Sequence, residues 1–389
     1  MKNFKNSIFL FFLFLVSGLA TGQSLSKYAQ ISIITCAPGS ELYSTFGHSA
    51  IRIKDPVLRI DNVYNYGTFN FETPNFYIKF IRGKLDYMLS VSPYRYFIIS
   101  YKQEKRAINE QILNLSDTQK NNIYKALKIN SLPENVYYRY DFIKDNCATR
   151  VLKIIKDVLK DSLILPEKST VSEQSFREML MPYLQTKDWE RFGINLALGR
   201  PVDKIAKSEQ TAFLPDYLKI LFEQSKIKTL NGIVPIVKKE NILYLPYKKN
   251  IEDSLNITPK YVLWFLLVVI LFFTIFEIKY RKKYFILDKT LFFIIGFIGL
   301  IILFLWFFTE HSSVVNNQNI IWASPLFFIA AFLLKKNNKK YLRIFFLSYS
   351  VLILLFMLAD VFFIPIYDKA VIPLELILIV RSSLIYLKK

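Results

Sequence analysis

The sequence predicts a two-part chain: an exported α+β domain over residues 23–259, then an all-α membrane domain of about five helices over residues 260–389. Three observations carry that reading. A basic and then apolar leader opens the chain, the long middle is polar and mixed, and the composition turns abruptly apolar from Lys260. Whole-chain composition agrees. Of 389 residues, 52% are hydrophobic and 16% aromatic, with 35 Phe against 11 Gly. A soluble domain carries about a quarter charged residues and about 7% Gly. Wholly soluble, disordered and collagen-like classes are thereby excluded.

The leader has Lys2 and Lys5, an unbroken apolar stretch over 8–16 and the small-residue site Ala20-Thr21-Gly22. That stretch is shorter than the roughly 20 residues a spanning helix needs. Residues 1–22 therefore read as a cleaved signal peptide, with an uncleaved anchor as the alternative. Either delivers the next domain outside the cytoplasm. Within that domain a linker is expected where Lys238, Lys239 and Glu240 precede Tyr244-Leu245-Pro246.

Beyond Lys260 five apolar segments follow, over 261–276, 291–308, 320–334, 342–364 and 371–387. The third is short and holds Pro325, and the last contains Arg381. Connection 277–290 is rich in cations, as is the stretch from Lys335 to Arg343, and Lys388-Lys389 close the chain. Connections 309–319 and 365–370 hold only Lys369 between them. The positive-inside rule puts the basic loops in the cytoplasm and the exported domain outside. Topology thus accounts for the formal net charge of +20, and no nucleic-acid partner is implied.

Chemistry-bearing residues are few: Cys36, Cys147, His48 and His311 are the only Cys and His. Ile31-Ser32-Ile33-Ile34 reads as a strand running into the turn signal Cys36-Ala37-Pro38-Gly39. The next alternating run sets Ile51 and Ile53 on one face of a strand, with His48, Ala50 and Arg52 on the other. An aromatic-rich partner strand is expected over 63–71. His48 thus heads a strand, a place that suits a structural histidine or a general base.

Cys147 opens a predicted helix, because Cys147, Val151, Ile154, Ile155 and Val158 recur at helical spacing and Pro166 lies beyond the end. A helix N-terminus lowers a thiol pKa from about 8.5. An imidazole nearby would complete the Cys–His pair that activates a nucleophile for acyl transfer. Two cysteines in an exported domain equally suit a Cys36–Cys147 disulfide. The residues alone leave both open. A Cys/His zinc site is poorer, since no ligand spacing is present.

Three segments resemble a known family: Thr35 to Arg52, Tyr64 to Phe71, and Asp145-Asn146-Cys147-Ala148-Thr149-Arg150. They are similar to the N-terminal periplasmic domain of the Lnb family, lipoprotein N-acyltransferases of Gram-negative bacteria. Thr309-Glu310-His311, the Asn-rich residues after it and Pro325 resemble that family's multi-span half. Papain-like and NlpC/P60-like enzymes place the Cys helix before the His strand, whereas here His48 precedes Cys147. The resemblance therefore implies a circularly permuted papain-like (NlpC/P60-like) domain. Its relatives resemble lecithin:retinol acyltransferase, which moves acyl chains through a Cys thioester.

That resemblance implies Cys147 as nucleophile, His48 as base and Asn65 as the group orienting His48, with Tyr66 behind it. Tyr43, Tyr66 and His311 are the candidate substrate contacts. The implied partners are a membrane phospholipid donor and a diacylated apolipoprotein acceptor, with no cofactor, metal or nucleic acid. The implied location is the bacterial inner membrane, with the catalytic domain in the periplasm. Two other readings stay open. The same pair with water as acceptor would be a phospholipase or cell-wall amidase, and a Cys36–Cys147 disulfide would suit a non-enzymatic scaffold.

Overall fold

Alternation of apolar residues builds the N-terminal half. In the computed structural model the described residues are 24–168, 173–247, 257–282, 284–334, 340–362 and 368–387. The expected signal peptide, 1–22, lies outside them. The strands are β1 (Gln30–Cys36), β2 (His48–Asp55), β3 (Ile60–Thr68), β4 (Asp86–Pro93), β5 (Ile108–Leu113), β6 (Tyr137–Arg139), β7 (Leu163–Ile164), β8 (Lys226–Thr229), β9 (Gly232–Pro235) and β10 (Val237–Tyr244). Seven of them form an antiparallel sheet in the order β10-β5-β1-β2-β3-β4-β6, and β7-β8-β9 form a small second sheet.

The two faces of the large sheet are covered differently. Between the strands lie α1 (Phe76–Ile81), α2 (Tyr94–Gln103), α3 (Asp117–Asn130), α4 (Cys147–Leu159), α5 (Phe176–Leu180), α6 (Asp188–Ala197) and α7 (Pro215–Gln224). Ile31, Ile33, Ile51, Ile53, Tyr64 and Tyr66 turn toward α3, α4 and α7, meeting Leu127, Val151, Ile155 and Leu218. Ile34, Cys36, Ala50 and Val63 turn toward Phe97 of α2. The alternation read around His48 is therefore the observed one. Each such apolar side chain contributes roughly 1.5–3 kcal/mol when buried.

The linker expected at Lys238–Glu240 is instead part of β10, which pairs with β5. Its charges sit on an edge strand, where they discourage pairing with another chain. Glu240 also bonds Lys219 of α7 at 2.7 Å.

The C-terminal half is helical: α8 (Pro259–Lys279), α9 (Phe285–Phe308), α10 (Leu326–Leu333), α11 (Lys340–Phe362) and α12 (Ile372–Leu387). Among the described residues, four helices are long and apolar enough to cross a membrane. The expected third span is the exception. Its helix, α10, has eight residues, about 12 Å of rise against a hydrocarbon core of about 30 Å. Pro325 caps it, and the polar residues before it are held by side chains instead of helical bonds. Asn317 donates to the carbonyl of Leu196 at 2.7 Å, and Trp322 Nε1 donates to Asn319 at 3.0 Å. The first of these bonds ties the segment to α6 of the N-terminal half.

Arg381 interrupts an apolar segment, and the structure supplies its partners. It reaches Asp288 at 2.6 Å, Glu277 at 2.9 Å and Thr274 at 2.9 Å, with the Arg381 and Glu277 side chains fully buried. Three helices are thereby tied at one level. The outer connection is tied to the N-terminal half as well. Glu310 N–H donates to Arg82 O at 2.9 Å, and Ser312 Oγ donates to Asp141 at 2.5 Å. These contacts set the Cys147 end of the sheet toward the spans.

Arg381→Met removes the cation that bonds Glu277 and Asp288 in that buried cluster. We expect a loss of about 3–5 kcal/mol, read as a lower unfolding midpoint in detergent. Adding Glu277→Gln and Asp288→Asn should recover most of it.

Candidate active site

The site forms where two strands part. Pairing of β2 with β3 stops at Ile51–Tyr64, while β3 continues along β4 through an irregularity between Asn65 and Thr68. Gly67 makes that departure with φ of 86°, a conformation glycine adopts without strain. The start of α4 enters the gap. A Cβ on Gly67 would lie 3.3 Å from Cys147 Cβ and 3.8 Å from His48 Cε1. Gly47, with φ of 80°, turns the chain into β2, where a Cβ would meet Cys36 O at 2.9 Å.

The residues around Cys147 each hold the helix start. Asn146 is the N-cap, accepting from the N–H groups of Ala148 and Thr149 at 2.9 and 3.0 Å. Its amide also donates to Phe142 O and Phe213 O at 2.6 and 2.8 Å. Thr149 Oγ1 accepts from Asn146 N–H at 2.7 Å, completing a capping box. Asp145 pairs with Arg150 at 2.5 and 2.6 Å, and Arg150 lies 3.9 Å over the Tyr138 ring. Cys147 is thus held at the first helical position, where the dipole favours an anion.

His48 comes from the neighbouring strand. Its Nε2 meets Asn65 Oδ1 at 2.5 Å, which leaves Nδ1 for its hydrogen bond to Cys147. Tyr101 of α2 stacks on the imidazole at 6.2 Å between centroids, and Arg106 lies 4.6 Å over Tyr101. The charges follow from this packing. Burial alone raises the Cys147 pKa, but the His48 charge, its hydrogen bond and the N–H groups of Ser49 and Ala148 outweigh burial and bring the thiol below its ordinary value. For His48, burial lowers the pKa, and the Cys147 charge and hydrogen bonds to Cys147 and Asn65 outweigh it, so the imidazole is raised. Both shifts run in the direction that favours a thiolate–imidazolium pair.

Both cysteines are free, so the Cys36–Cys147 disulfide is overturned. Cys36 lies opposite His48 in the β1–β2 register, and burial pushes its thiol well up. It stays protonated and inert. Among the described residues, no cluster of three His, Cys, Asp or Glu fits a metal ion.

Two family models match the chain: the Lnb N-terminal periplasmic domain over residues 20–180 and the Lnb transmembrane domain over residues 250–389. The chain belongs to the Lnb family. Comparisons with curated proteins and with solved structures give no match. Membership in Lnb suggests a lipoprotein-processing membrane enzyme, and the family's own description calls the N-terminal domain periplasmic.

The structure brings together Cys147, His48 and Asn65. Other expected residues fall elsewhere. Tyr66 is buried on the opposite face of β3, its hydroxyl accepting from Asn130 at 2.8 Å. It packs the Lnb core and presents no surface to a substrate. His311 spends its Nε2 on the carbonyls of Phe80 and Ile81 at 3.2 and 3.1 Å. Its bonds join the two halves and do not reach the Cys147 cluster. Tyr43 stands exposed on the short turn Leu42–Ser44 ahead of β2. Residue patterning missed Tyr101, the Ser49 N–H and Tyr138, whose phenol is raised by burial and by the nearby Cys147 charge. Gly67 was legible, since it sits in the quoted Tyr64–Phe71 segment.

Alkylation by iodoacetamide reads the thiolate directly. In the wild type, Cys147 reactivity should persist below the pH at which ordinary thiols lose it, falling only through the lowered Cys147 pKa. His48→Ala should move that midpoint up past the ordinary thiol value, because desolvation is then opposed only by backbone N–H groups. Gly67→Ala, strained by its φ and by crowding against Cys147, should slow alkylation with little change in midpoint.

Proposed function

We propose that the chain is a lipoprotein N-acyltransferase that carries an acyl group on Cys147. The observation behind this is the Cys147–His48–Asn65 constellation at the end of the sheet that faces the membrane half. Cys147 Sγ attacks the ester carbonyl of a phospholipid, and the developing oxyanion is received by backbone N–H groups at the helix start. His48 passes its proton to the departing glycerol oxygen, releasing lysophospholipid and leaving a thioester. The α-amine of a diacylglyceryl-cysteine apolipoprotein then attacks that thioester. His48 takes the amine's proton as the amide forms and the thiolate is restored. No cofactor enters either step.

The strand order supports a permuted papain-like reading of the domain: the His48 strand comes before the Cys147 helix, and Asn65 accepts the imidazole hydrogen bond from the adjacent strand. Partners follow from the chemistry, a phospholipid donor and a lipid-bearing amine acceptor, both reached from the outer leaflet. The inner membrane is the proposed location.

Incubation with radiolabelled phospholipid should label the wild type through a bond cleaved by neutral hydroxylamine. Cys147→Ser should fold and insert yet form no such adduct and leave lipoprotein N-termini unacylated by mass spectrometry. Undiminished N-acylation by the Ser variant would refute the mechanism.

A further inference from the structure

We propose that α1 and the turn before it form a docking lip that inserts into the outer leaflet of the lipid bilayer beside the Cys147 site. Phe71, Tyr77, Ile78, Phe80 and Ile81 are between 49% and 75% exposed, an unusual apolar patch for a soluble surface. The lip is nonetheless fixed in place. Phe76 is buried and packs on Phe69, Phe71 and Phe80 with centroids 5.7, 4.9 and 6.2 Å apart.

Its height relative to the membrane is set by contacts already described. Arg82 O accepts from Glu310 N–H at 2.9 Å, and the carbonyls of Phe80 and Ile81 meet His311. Lys84 pairs with Glu310 at 3.4 Å. Glu310 and His311 follow directly on the outer end of α9, whose last residues, Phe307 and Phe308, are 64% and 58% exposed. Lipid would cover those phenylalanines, and the bonds from Glu310 and His311 hold the end of α1 beside the residues that follow them. Lys79 and Arg82 in the same stretch suit lipid phosphates, the residue mix of an interfacial segment. Gly67, which touches Cys147, precedes Phe69 and Phe71 on the same strand and its exit. The lip therefore lies where an acyl ester would have to pass to reach the thiolate.

The test uses the full chain with Cys147→Ala, reconstituted in phosphatidylethanolamine–phosphatidylglycerol vesicles and nitroxide-labelled at Ile78→Cys. Tyr28→Cys, at the far end of the sheet from the site, is the aqueous control. The Ile78 label should relax with dissolved oxygen far more than with a water-soluble nickel chelate, at a depth of about 5–10 Å, and the Tyr28 label should do the reverse. Equal behaviour of the two labels, or spin–spin broadening from a second copy, would overturn the proposal. In the otherwise native chain, Ile78→Asp with Phe80→Asp should slow acylation by vesicle phospholipid about tenfold or more, with iodoacetamide alkylation of Cys147 unchanged. An unchanged acylation rate would also overturn it. Should the wild type form no acyl adduct, the acyltransferase reading fails, and the label depth alone decides the docking.

Discussion

The stop in the β2–β3 ladder is the constraint on which the site depends. Pairing runs from Asp55–Ile60 to Ile51–Tyr64 and no further. Had it continued, the β3 backbone would lie along Ser49 and no space would remain for the first turn of α4. Because it stops, the Ser49 N–H is free to meet Cys147, and Gly67 lets β3 pass so close that an added Cβ would lie 3.3 Å from the Cys147 Cβ. His48 and Asn65 then face each other from strands that have begun to diverge. The short segment His48-Ser49 therefore supplies an imidazole from one residue and a backbone donor from the next.

A buried thiolate is costly unless charge and hydrogen bonds replace the lost water. Cys36 and Cys147 are shifted in opposite directions within one domain. Cys36 sits inside the sheet opposite His48, sealed on the α2 face with apolar neighbours, and burial keeps it neutral. Cys147 sits at a helix start, against two N–H groups and an imidazole that Asn65 holds in place. The difference lies in position on a secondary-structure element, since both are thiols of the same domain. Asn146 is what guarantees that position: with its oxygen on two helix N–H groups and its amide on two carbonyls, every polar atom of its side chain is used. The helix cannot begin one residue later without breaking all of them.

Much of this was legible in the sequence, for identifiable reasons. Alternation around Ile51 and Ile53 fixed the face of His48, and helical spacing from Cys147 fixed the start of α4, because both patterns reflect a single face buried against one core. The abrupt turn to apolar residues from Lys260 marked the helical half, where four described helices are long and apolar enough to cross a membrane. What patterning missed were matters of partnership over long sequence distances. Lys238–Glu240 read as a linker because an edge strand and a linker are alike in charge, and only pairing with β5 separates them. Arg381 weakened the last span until Glu277 and Asp288, from two other helices, were seen to meet it. Segment 320–334 read as a span on composition, whereas its helix begins only after Pro325 and spans the eight residues of α10. Tyr66 looked like a neighbour of the site because it adjoins Asn65, but adjacent strand residues face opposite ways.

The proposed chemistry also explains why the two halves are bound so closely. A thioester intermediate is exposed to water as well as to the amine, and transfer prevails only if the acceptor is delivered faster than hydrolysis proceeds. Donor and acceptor in the proposed reaction are both held in the membrane by their acyl chains, so their encounter with Cys147 is governed by where the site stands above the bilayer. Confinement of that kind raises effective concentration without any new contact. It requires a fixed height, which flexible tethering of the N-terminal domain to α8 would not provide. The structure instead bonds the outer connection to Arg82, Phe80, Ile81 and Asp141, and ties Asn195 to Asp368 at 3.2 Å on the side of α6. Two separate attachments restrain tilt as well as height. A hydrolase acting on a soluble polymer would gain nothing from that restraint, whereas an enzyme joining two lipid-borne substrates depends on it.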